Sequence, residues 1–221
     1  MKKASLLFLL LGVSLLPLSA AVTETYTYSS LNQPIPAGNA SGVTLSYNPG
    51  STIASIDSLR VSLDITSDSN GSLYFYLSHG SDICVLLNRP GRTTANLAGY
   101  DDHGFNVTFD DSQINRDIHV YNTIEAPQSG QPLTGLWQSD ARLTDPDLVL
   151  DTSPRNADLT SFNAKDANGT WTFFLASLES GGTTTLNSLT LEITGVPEPL
   201  TYAWATGLVL LGFAAFRKLR G

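Results

Sequence analysis

The residue types that most often bind metals or act as catalytic bases are few and scattered in this sequence. The three histidines, His79, His103 and His119, form no i, i+4 pair and have no cysteine partner. Zinc sites need several closely placed ligands, so we expect these histidines in loops or on the surface. Cys84 lies in an apolar segment without a basic neighbour that would favour the thiolate, which predicts a buried and unreactive thiol.

Carboxylates are more abundant, and two adjacent pairs occur, Asp101-Asp102 and Asp110-Asp111. Neighbouring side chains of an extended backbone point to opposite faces, so neither pair is arranged like the two carboxylates of a glycosidase. Oxygen ligands in loops suit calcium better, which makes Asp110 and Asp111 candidate ligands for Ca²⁺; no other cofactor is expected. The alternative is a solvated acidic surface, because the sequence has no EF-hand or nonapeptide spacing. The other loop residues that suit such a site are Asp101, Asp102, Asp145, Asp147, Asp166 and Asn168.

A serine peptidase requires a nucleophile, a base and an orienting acid. The sequence contains no Asp-Ser/Thr-Gly, His-Gly-Thr or Gly-Thr-Ser-x-Ala segment. The nearest imitation is His79-Gly80-Ser81-Asp82, which follows a predicted strand and is more simply a turn. We therefore predict a protein without catalytic residues.

The chain has 221 residues, of which 42% are hydrophobic and only 14% are charged. This length suits one domain plus processing signals. Between Val22 and Val196 there are 7 basic residues against 19 acidic ones, a net charge of −12. Nucleic-acid binding needs clustered Lys and Arg, so nucleic acid is excluded as the expected partner. A disulfide scaffold is excluded as well, because Cys84 is the single cysteine.

The amino terminus has the pattern of a secretory signal peptide. Lys2 and Lys3 precede the apolar run Leu6–Leu16, and small residues lead up to Ala21. This pattern predicts cleavage after Ala21, and the run is short for a membrane span. Residues 1–21 are therefore predicted to direct the chain to the Sec translocon and then to signal peptidase.

The carboxyl terminus combines a proline motif, an apolar run and a basic end. Pro197-Glu198-Pro199 precedes the uncharged residues 200–216, and the basic end contains Arg217, Lys218 and Arg220. Residues 200–216, at about 1.5 Å each, span about 26 Å, enough for a thin hydrocarbon core. We predict a transmembrane helix there, with the basic end in the cytoplasm and the acidic middle outside.

These three parts, in this order within residues 195–221, resemble the PEP-CTERM sorting signal of Gram-negative bacteria that make exopolysaccharide. The resemblance implies recognition by an exosortase, a membrane cysteine peptidase, with cleavage near Pro197-Glu198-Pro199. It also implies a precursor anchored in the inner membrane and a mature protein at the cell surface or outside the cell. A plain single-span anchor is the alternative.

Alternation of apolar and polar residues dominates the middle of the chain. Leu59, Val61, Leu63 and Ile65 alternate with polar residues, which predicts a strand with one wet face. The other predicted strands are Val22–Tyr28, Val43–Tyr47, Leu73–Ser78, Ile83–Leu87, Phe105–Phe109, Trp171–Leu178 and Leu189–Ile193. About eight short strands without helices predict an all-β protein of two packed antiparallel sheets.

Two segments of the middle depart from this pattern. Ile83–Leu87 is apolar on both faces, which predicts a central position in a sheet. The long segment from Asp110 to Thr170 has little strand signal apart from Leu148–Leu150, so it is predicted to cover the sandwich or to carry function.

Seven short segments across residues 53–194 stand in a recognisable order. They are Ile53-Ala54-Ser55-Ile56, Leu73 to Ser78, Leu86 to Gly91, Phe109-Asp110-Asp111, Leu159 to Phe162, Asn168 to Phe173 and the closing Gly181 to Thr194. They resemble the P domain, or Homo B domain, of proprotein convertases. The resemblance implies a jelly-roll β-sandwich similar to galactose-binding domains, preceded by residues 22–52 as a lead-in or edge strand. Leu189 departs from the family, which usually carries a Trp at that place.

P domains normally lie beside a subtilisin-like catalytic domain, and the roughly 30 mature residues before Ile53 cannot supply one. We therefore expect a surface-sorted, non-catalytic module that binds exopolysaccharide or another matrix component. The alternative is an accessory domain that stabilises a separate subtilisin-like peptidase, and a cryptic hydrolase is a third hypothesis. An exposed aromatic platform beside acidic loops would favour glycan binding. Its candidate members are Tyr74, Tyr76, Tyr100, Tyr121 and Trp137.

Overall fold

The computed structural model describes residues 20–197, which form two sheets packed face to face. The first sheet contains, in spatial order, β1 (Val22–Tyr28), β10 (Thr184–Pro197), β4 (Ile53–Ser67), β7 (Phe105–Phe109) and β8 (Leu133–Trp137), with β2 (Gln33–Pro34) also paired to β10. The second sheet contains β3 (Val43–Tyr47), β9 (Trp171–Ser177), β5 (Leu73–His79) and β6 (Asp82–Asn88). Short 3-10 helices occur at Asn70–Ser72, Ile118–Thr123 and Leu159–Phe162.

The order of the strands is that of a jelly roll. The chain crosses repeatedly between the sheets, so that β1, β10, β4 and β7 are neighbours in one sheet and β3, β9, β5 and β6 in the other. This is the arrangement of two interlocked Greek keys. The predicted all-β jelly-roll sandwich is therefore confirmed.

The core lies between the sheets and is built by the alternating residues of the long strands. On β4 the side chains of Leu59, Val61, Leu63 and Ile65 are at most 4% exposed, while the intervening residues face outward. Inward residues of β7, β9 and β10 complete this layer. Burial of one face of each strand is the main source of stability in such a sandwich.

Two strands were not predicted, the two-residue β2 and β8, and one pairing is not antiparallel. β8 arises inside the segment from Asp110 to Thr170, and it pairs with β7 in parallel. Parallel neighbours need a long crossover, which residues 110–132 provide. The sheets are thus antiparallel as predicted except for this one pair at the edge.

The predicted central position of Ile83–Leu87 is wrong, because β6 is the edge strand of its sheet. Its burial comes from a loop, residues 138–157, which we call the covering loop. Backbone hydrogen bonds join Val85 N to Ala157 O at 2.8 Å and Ala141 N to Val85 O at 2.8 Å. Leu148–Leu150, the strand signal within this loop, forms a turn and irregular chain instead.

Residues 22–52 supply β1 and β3, which are edge strands of the two sheets. Glu24 on β1 holds the chain that leads into β4, accepting hydrogen bonds from Ser51 Oγ at 2.6 Å and Thr52 Oγ1 at 2.6 Å. Burial opposes ionisation of Glu24, but these bonds and that from Tyr26 outweigh it and lower its pKa to about 2. The carboxylate is therefore charged at neutral pH and ties β1 to the sandwich.

The two predicted processing sites lie at the same end of the sandwich. Ala21 directly precedes β1, Pro197 ends β10, and Val22 is paired with Gly195. Glu198, Pro199, Arg217, Lys218, Arg220, the signal peptide before residue 20 and the apolar run 200–216 lie outside the described residues. Within residues 20–197, no helix is long and apolar enough to cross a membrane.

Candidate functional site

A groove of about 460 Å³ crosses the outer face of the second sheet. Its floor is aromatic, formed by Tyr74 and Tyr76 of β5 and by Phe174 of β9. Its wall is acidic, formed by Asp145 and Asp147 of the covering loop. The remaining lining residues are Gly38, Ala40, Pro146 and Leu178. We call this feature the aromatic groove.

The floor exists because three aromatic side chains occupy outward positions of two neighbouring strands. Tyr76 and Phe174 are direct partners in the register of β5 and β9, and their rings stack with centroids 5.0 Å apart. The ring of Tyr74 stands at 63° to that of Phe174, with centroids 6.1 Å apart. Two of the rings are therefore nearly parallel, and the third is steeply inclined to them. All three side chains are half-buried, so part of each ring is open to solvent.

The wall carries negative charge that is little neutralised. Asp147 has a side chain 87% exposed, and among the described residues its carboxylate forms a single long ion pair, at 3.9 Å from Arg89 Nη1. Arg89 itself is buried and pairs more closely with Glu179. Asp145 accepts a hydrogen bond from Asp147 N at 2.9 Å, and within residues 20–197 it has no ion-pair partner.

The environment of the groove raises the pKa of Tyr74. Burial, followed by the neighbouring Tyr76 and the carboxylates of Asp145 and Asp140, raises the pKa of Tyr74 to about 12. Its hydroxyl is therefore neutral throughout the physiological range and can both donate and accept a hydrogen bond. Among the described residues, no side chain or backbone group is hydrogen-bonded to the hydroxyl of Tyr74 or Tyr76, so both are free for a ligand.

Asn88 and Arg92 hold the acidic wall in place. The amide nitrogen of Asn88, a buried residue at the end of β6, donates to Arg142 O at 2.9 Å and to Thr144 O at 2.8 Å. Arg92 Nη2 donates to Asp147 O at 2.6 Å. The backbone of the wall is thus fixed on both sides of Asp145, which preorganises the groove.

Two residues of the covering loop, Asp140 and Arg142, join Asp117 and His119 in a set of four ionisable residues that we call the buried ionic cluster. Arg142 Nη2 is 2.8 Å from Asp117 Oδ2, and Arg142 Nη1 is 3.2 Å from Asp140 Oδ1. His119 Nδ1 is 2.8 Å from Asp140 Oδ2, and its Nε2 is 3.0 Å from Arg92 O. Each buried carboxylate of the cluster thus has a basic partner, as buried charges require, and Arg155 Nε adds a longer contact to Asp117 Oδ2 at 3.8 Å.

His119 is fully buried, so the prediction that all three histidines lie in loops or on the surface is wrong for this one. Both of its ring nitrogens face oxygen acceptors, and an imidazole can donate from both nitrogens only when it is protonated. Burial lowers the pKa of His119, but the hydrogen bond and charge of Asp140 outweigh burial and raise it above the ordinary value. The pair of His119 and Asp140 is thus structural, because the nitrogen that would serve a nucleophile is bonded to Arg92 O.

We expect the free energy of unfolding to fall as pH rises above about 6.5, the ordinary pKa of histidine. The raised pKa of folded His119 means that the native state keeps a proton that the unfolded state releases. The stabilising effect is complete below the unfolded pKa and is lost as pH rises through the folded one. Urea unfolding between pH 5 and pH 9 measures this slope.

The control for this pH dependence is His119→Gln, which keeps a hydrogen-bonding side chain but cannot titrate. Its difference in slope from the parent isolates His119, because His79 and His103 are retained. Parallel slopes in the two proteins would contradict a protonated His119.

The candidate calcium ligands Asp110 and Asp111 are engaged by protein donors. Asp110 accepts from Arg60 Nε at 2.8 Å, and Asp111 accepts from Ser139 N at 2.8 Å and Ser139 Oγ at 3.0 Å. Burial raises the pKa of Asp111 despite these bonds. Within residues 20–197, no group of three or more His, Cys, Asp or Glu side chains is placed to hold a metal ion.

The other candidate catalytic or metal-binding side chains lie apart from one another. His79 stacks on Trp171, with ring centroids 4.2 Å apart, and its nitrogens face Thr170 O and Asp166 O. Cys84 is fully buried, and burial raises the pKa of its thiol well above the ordinary value, as expected for an inert core residue. These groups do not converge on a common point.

Of the aromatic residues proposed for a platform, only Tyr74 and Tyr76 reach the groove. Tyr121 and Trp137 are fully buried, and Tyr100 packs edge-on against Tyr121 at 4.7 Å. Phe174 was missed as a site residue. Its only sequence signal is that it alternates with the inward Phe173, which places it on the outer face of β9.

A second pocket, of about 360 Å³, lies beside the β9–β10 connection and is lined largely by hydroxyls. Several of these hydroxyls are buried and bonded to one another: Ser72 and Ser177 are 3.2 Å apart, and Ser67 and Thr184 are 3.4 Å apart. It has no aromatic surface. The aromatic groove is therefore the better ligand site.

These features define the protein as a jelly-roll β-sandwich with a groove that is aromatic on its floor and acidic on its wall. Comparison with protein-family models found no match, and no curated protein sequence matches the chain. Among solved structures it is similar to the serine protease of Aeromonas sobria, with 12% identity and a TM-score of 0.46. It is also similar to a chain in the complex of that protease with its chaperone, with 12% identity and a TM-score of 0.44.

Each likeness covers 81% of this chain but 28% of the matched chain. Likeness at this level concerns the overall fold and carries no inference about activity. The resemblance to P domains therefore stays a prediction from sequence.

Proposed function

We propose that this protein is an exported, surface-sorted β-sandwich module that binds a glycan in the aromatic groove. The observation that carries the proposal is the joining of Tyr74, Tyr76 and Phe174 into one partly open floor beside Asp145 and Asp147. No chemical step is assigned to the module.

The composition of the groove suits a sugar. The apolar C–H face of a pyranose can lie on an aromatic ring, while its hydroxyls need polar partners at the edge of the site. The free hydroxyls of Tyr74 and Tyr76 and the carboxylates of Asp145 and Asp147 offer such partners. The volume, about 460 Å³, lies within the range of small-molecule sites, about 300–1,000 Å³.

The position of the groove supports a role at the cell surface. Tyr74 and Leu178 lie near the start of β10, because Tyr74 is paired with Ala176 at the end of β9 and β10 follows at Thr184. β10 contains 14 residues, which at about 3.4 Å per residue span about 44 Å. The groove thus lies toward the end of the sandwich away from Pro197. If the residues after Pro197 are held in the membrane, the groove lies on the side of the sandwich that points away from the membrane.

The sorting part of the proposal rests on the tail that resembles a PEP-CTERM signal. In this proposal an exosortase cleaves near Pro197-Glu198-Pro199 and releases the sandwich from the inner membrane to the cell surface. Cleavage there would fall at the end of β10, outside the core, and would leave both sheets intact. Exopolysaccharide is then the glycan that the released module meets.

Replacing Tyr76 with leucine is expected to weaken glycan binding at least tenfold. The change removes the ring that stacks on Phe174 but keeps an apolar side chain of β5 on the outer face. The full-length protein is screened on a glycan array, and the affinity for the best ligand is then measured by isothermal titration calorimetry.

The matched control is Tyr28→Leu, which alters a half-buried tyrosine of β1 outside the groove. It is expected to retain the affinity of the parent. Equal loss of binding in both variants, or an array without any ligand, would count against the groove as a glycan site.

A specific feature favours a second candidate, the accessory domain of a separate subtilisin-like peptidase. The covering loop exposes two leucines, Leu143 at 50% and Leu148 at 71%, which a protein partner could bury. If the array is empty and a peptidase co-purifies with the parent but not with a Leu143→Ser, Leu148→Ser variant, this second function replaces the first.

A further inference from the structure

We infer that the aromatic groove selects glycans whose sugars carry free amino groups, which are positively charged ammonium groups near neutral pH. This inference rests on the proposed function and adds the chemical class of the ligand. It is drawn from the charges at the wall and from the arrangement of rings on the floor.

The first step is the uncompensated charge of the wall. Asp145 has no ion-pair partner among the described residues, and the carboxylate of Asp147 forms a single long ion pair there, at 3.9 Å from Arg89 Nη1. Arg89 pairs more closely with Glu179 than with Asp147. The guanidinium of Arg92 donates hydrogen bonds to two backbone oxygens, Leu97 O and Asp147 O, and not to a carboxylate. With these two arginines set against Asp145, Asp147 and Glu179, the vicinity of the groove keeps one net negative charge.

The second step is the geometry of the floor. An ammonium group is attracted to the face of an aromatic ring, and several rings set at an angle attract it from more than one side. The ring of Tyr74 meets that of Phe174 at 63° and that of Tyr76 at 58°. Rings of different orientation therefore line the same groove as the carboxylates of Asp145 and Asp147.

The third step is exclusion of other glycans. A uronate or sulfated polymer would bring negative charge to this wall and to a domain whose net charge is −12 between Val22 and Val196, so it is disfavoured at long range as well as in contact. A neutral polymer gains the ring contacts but not the charge attraction. The amino glycan adds the charge attraction of the wall to the ring contacts and hydrogen bonds that a neutral glycan also gains.

The preference is tested with two oligomers of equal length that differ in one group. The probes are a glucosamine hexamer and an N-acetylglucosamine hexamer, titrated into the full-length protein at pH 6 in 50 mM and 500 mM salt. We expect the glucosamine hexamer to bind at least tenfold more tightly at low salt, and its advantage to shrink at high salt.

The negative charge of the wall is then removed by substitutions that keep the size and shape of the side chains. The double variant Asp145→Asn, Asp147→Asn is expected to bind the two hexamers with the same affinity, because the charge that attracts the ammonium groups is gone. The loop is expected to keep its shape, because the amide of residue 145 keeps the oxygen that accepts from the backbone N–H of residue 147. The matched control is Asp57→Asn, which removes an exposed carboxylate on β4 of the first sheet. It is expected to leave the tenfold preference intact.

The outcomes separate this inference from the proposed function. Binding of both hexamers with equal affinity, lost in Tyr76→Leu, would overturn the amine preference and leave the glycan site standing. Binding of neither hexamer nor of any array glycan would overturn both. A hexalysine peptide that binds as tightly as the glucosamine hexamer, with no effect of Tyr76→Leu, would mean general charge attraction and would overturn the inference.

Discussion

Replacement of Arg142 by methionine is expected to lower the free energy of unfolding by about 3–5 kcal/mol, the cost of removing one member of a buried ion pair. The guanidinium is 4% exposed and is bonded to Asp117 and Asp140, both of which are buried or nearly so. Without it, Asp140 keeps only His119 as a charged partner, and Asp117 keeps only the more distant Arg155, at 3.8 Å. Methionine fills much of the same space, so the loss reports charge and hydrogen bonds rather than a cavity.

Thermal and urea unfolding of the purified protein measure this effect. The matched control is Lys165→Met, which removes a cation from an exposed pair with Asp82 at 3.1 Å. An exposed pair contributes about 0–1 kcal/mol, so this control is expected to unfold almost as the parent does. Similar small losses for both variants would show that the buried ionic cluster is not needed for stability.

The substitution Arg142→Met is also expected to weaken ligand binding in the aromatic groove. The Arg142 guanidinium joins the covering loop to Asp117 and also donates to Asp151 O within the loop at 2.8 Å, and methionine removes both contacts. Loosening that loop moves Asp145 and Asp147 relative to the floor. Weaker binding is therefore expected in Arg142→Met even at temperatures where the sandwich stays folded.

The strands were the most predictable part of the fold, because alternation reports directly which residues face the core. β1, β3 and β7 begin and end at the predicted residues. β8 escaped prediction because its pattern is irregular: only Leu133 and Trp137 are buried, and Gly135 has a φ of +98°, which interrupts an ordinary extended strand.

The position of β6 was misjudged for a related reason. Hydropathy indicates that a strand is covered on both faces, but it does not distinguish cover by neighbouring layers from cover by a loop. Val85 is buried because the covering loop adds hydrogen bonds from Ala141 and to Ala157, and those residues are separated from it by more than fifty positions. Such long-range contacts leave no periodic trace in the sequence.

The candidate site was predictable only in part. Tyr74 and Tyr76 are two residues apart on one strand, so a common face follows from the period of two. Their meeting with Phe174 depends on the register between β5 and β9, which joins residues almost one hundred positions apart. Asp145 and Asp147 were noted as possible calcium ligands, and their place beside the rings became evident only from the path of the covering loop.

Replacement of Trp171 by alanine is expected to be as damaging as that of Arg142, with a loss of about 3–5 kcal/mol in the free energy of unfolding. Trp171 starts β9 and is fully buried, and its indole nitrogen donates to Ala167 O at 3.0 Å. Its ring packs against Phe162, with centroids 5.2 Å apart, and against His79. Alanine would leave a large cavity at this point and an unpaired carbonyl.

The variant Trp171→Phe separates the two contributions, because it keeps an aromatic ring but loses the donor. Its expected loss is smaller, about 1–3 kcal/mol, and both variants are compared with the parent by urea unfolding. Since Phe174 lies on the opposite face of the same strand, glycan binding by folded Trp171→Phe is expected to match that of the parent. Equal losses of stability in Trp171→Ala and Trp171→Phe would mean that the hydrogen bond accounts for the whole effect. A small loss in both would show that the core around the start of β9 tolerates the cavity.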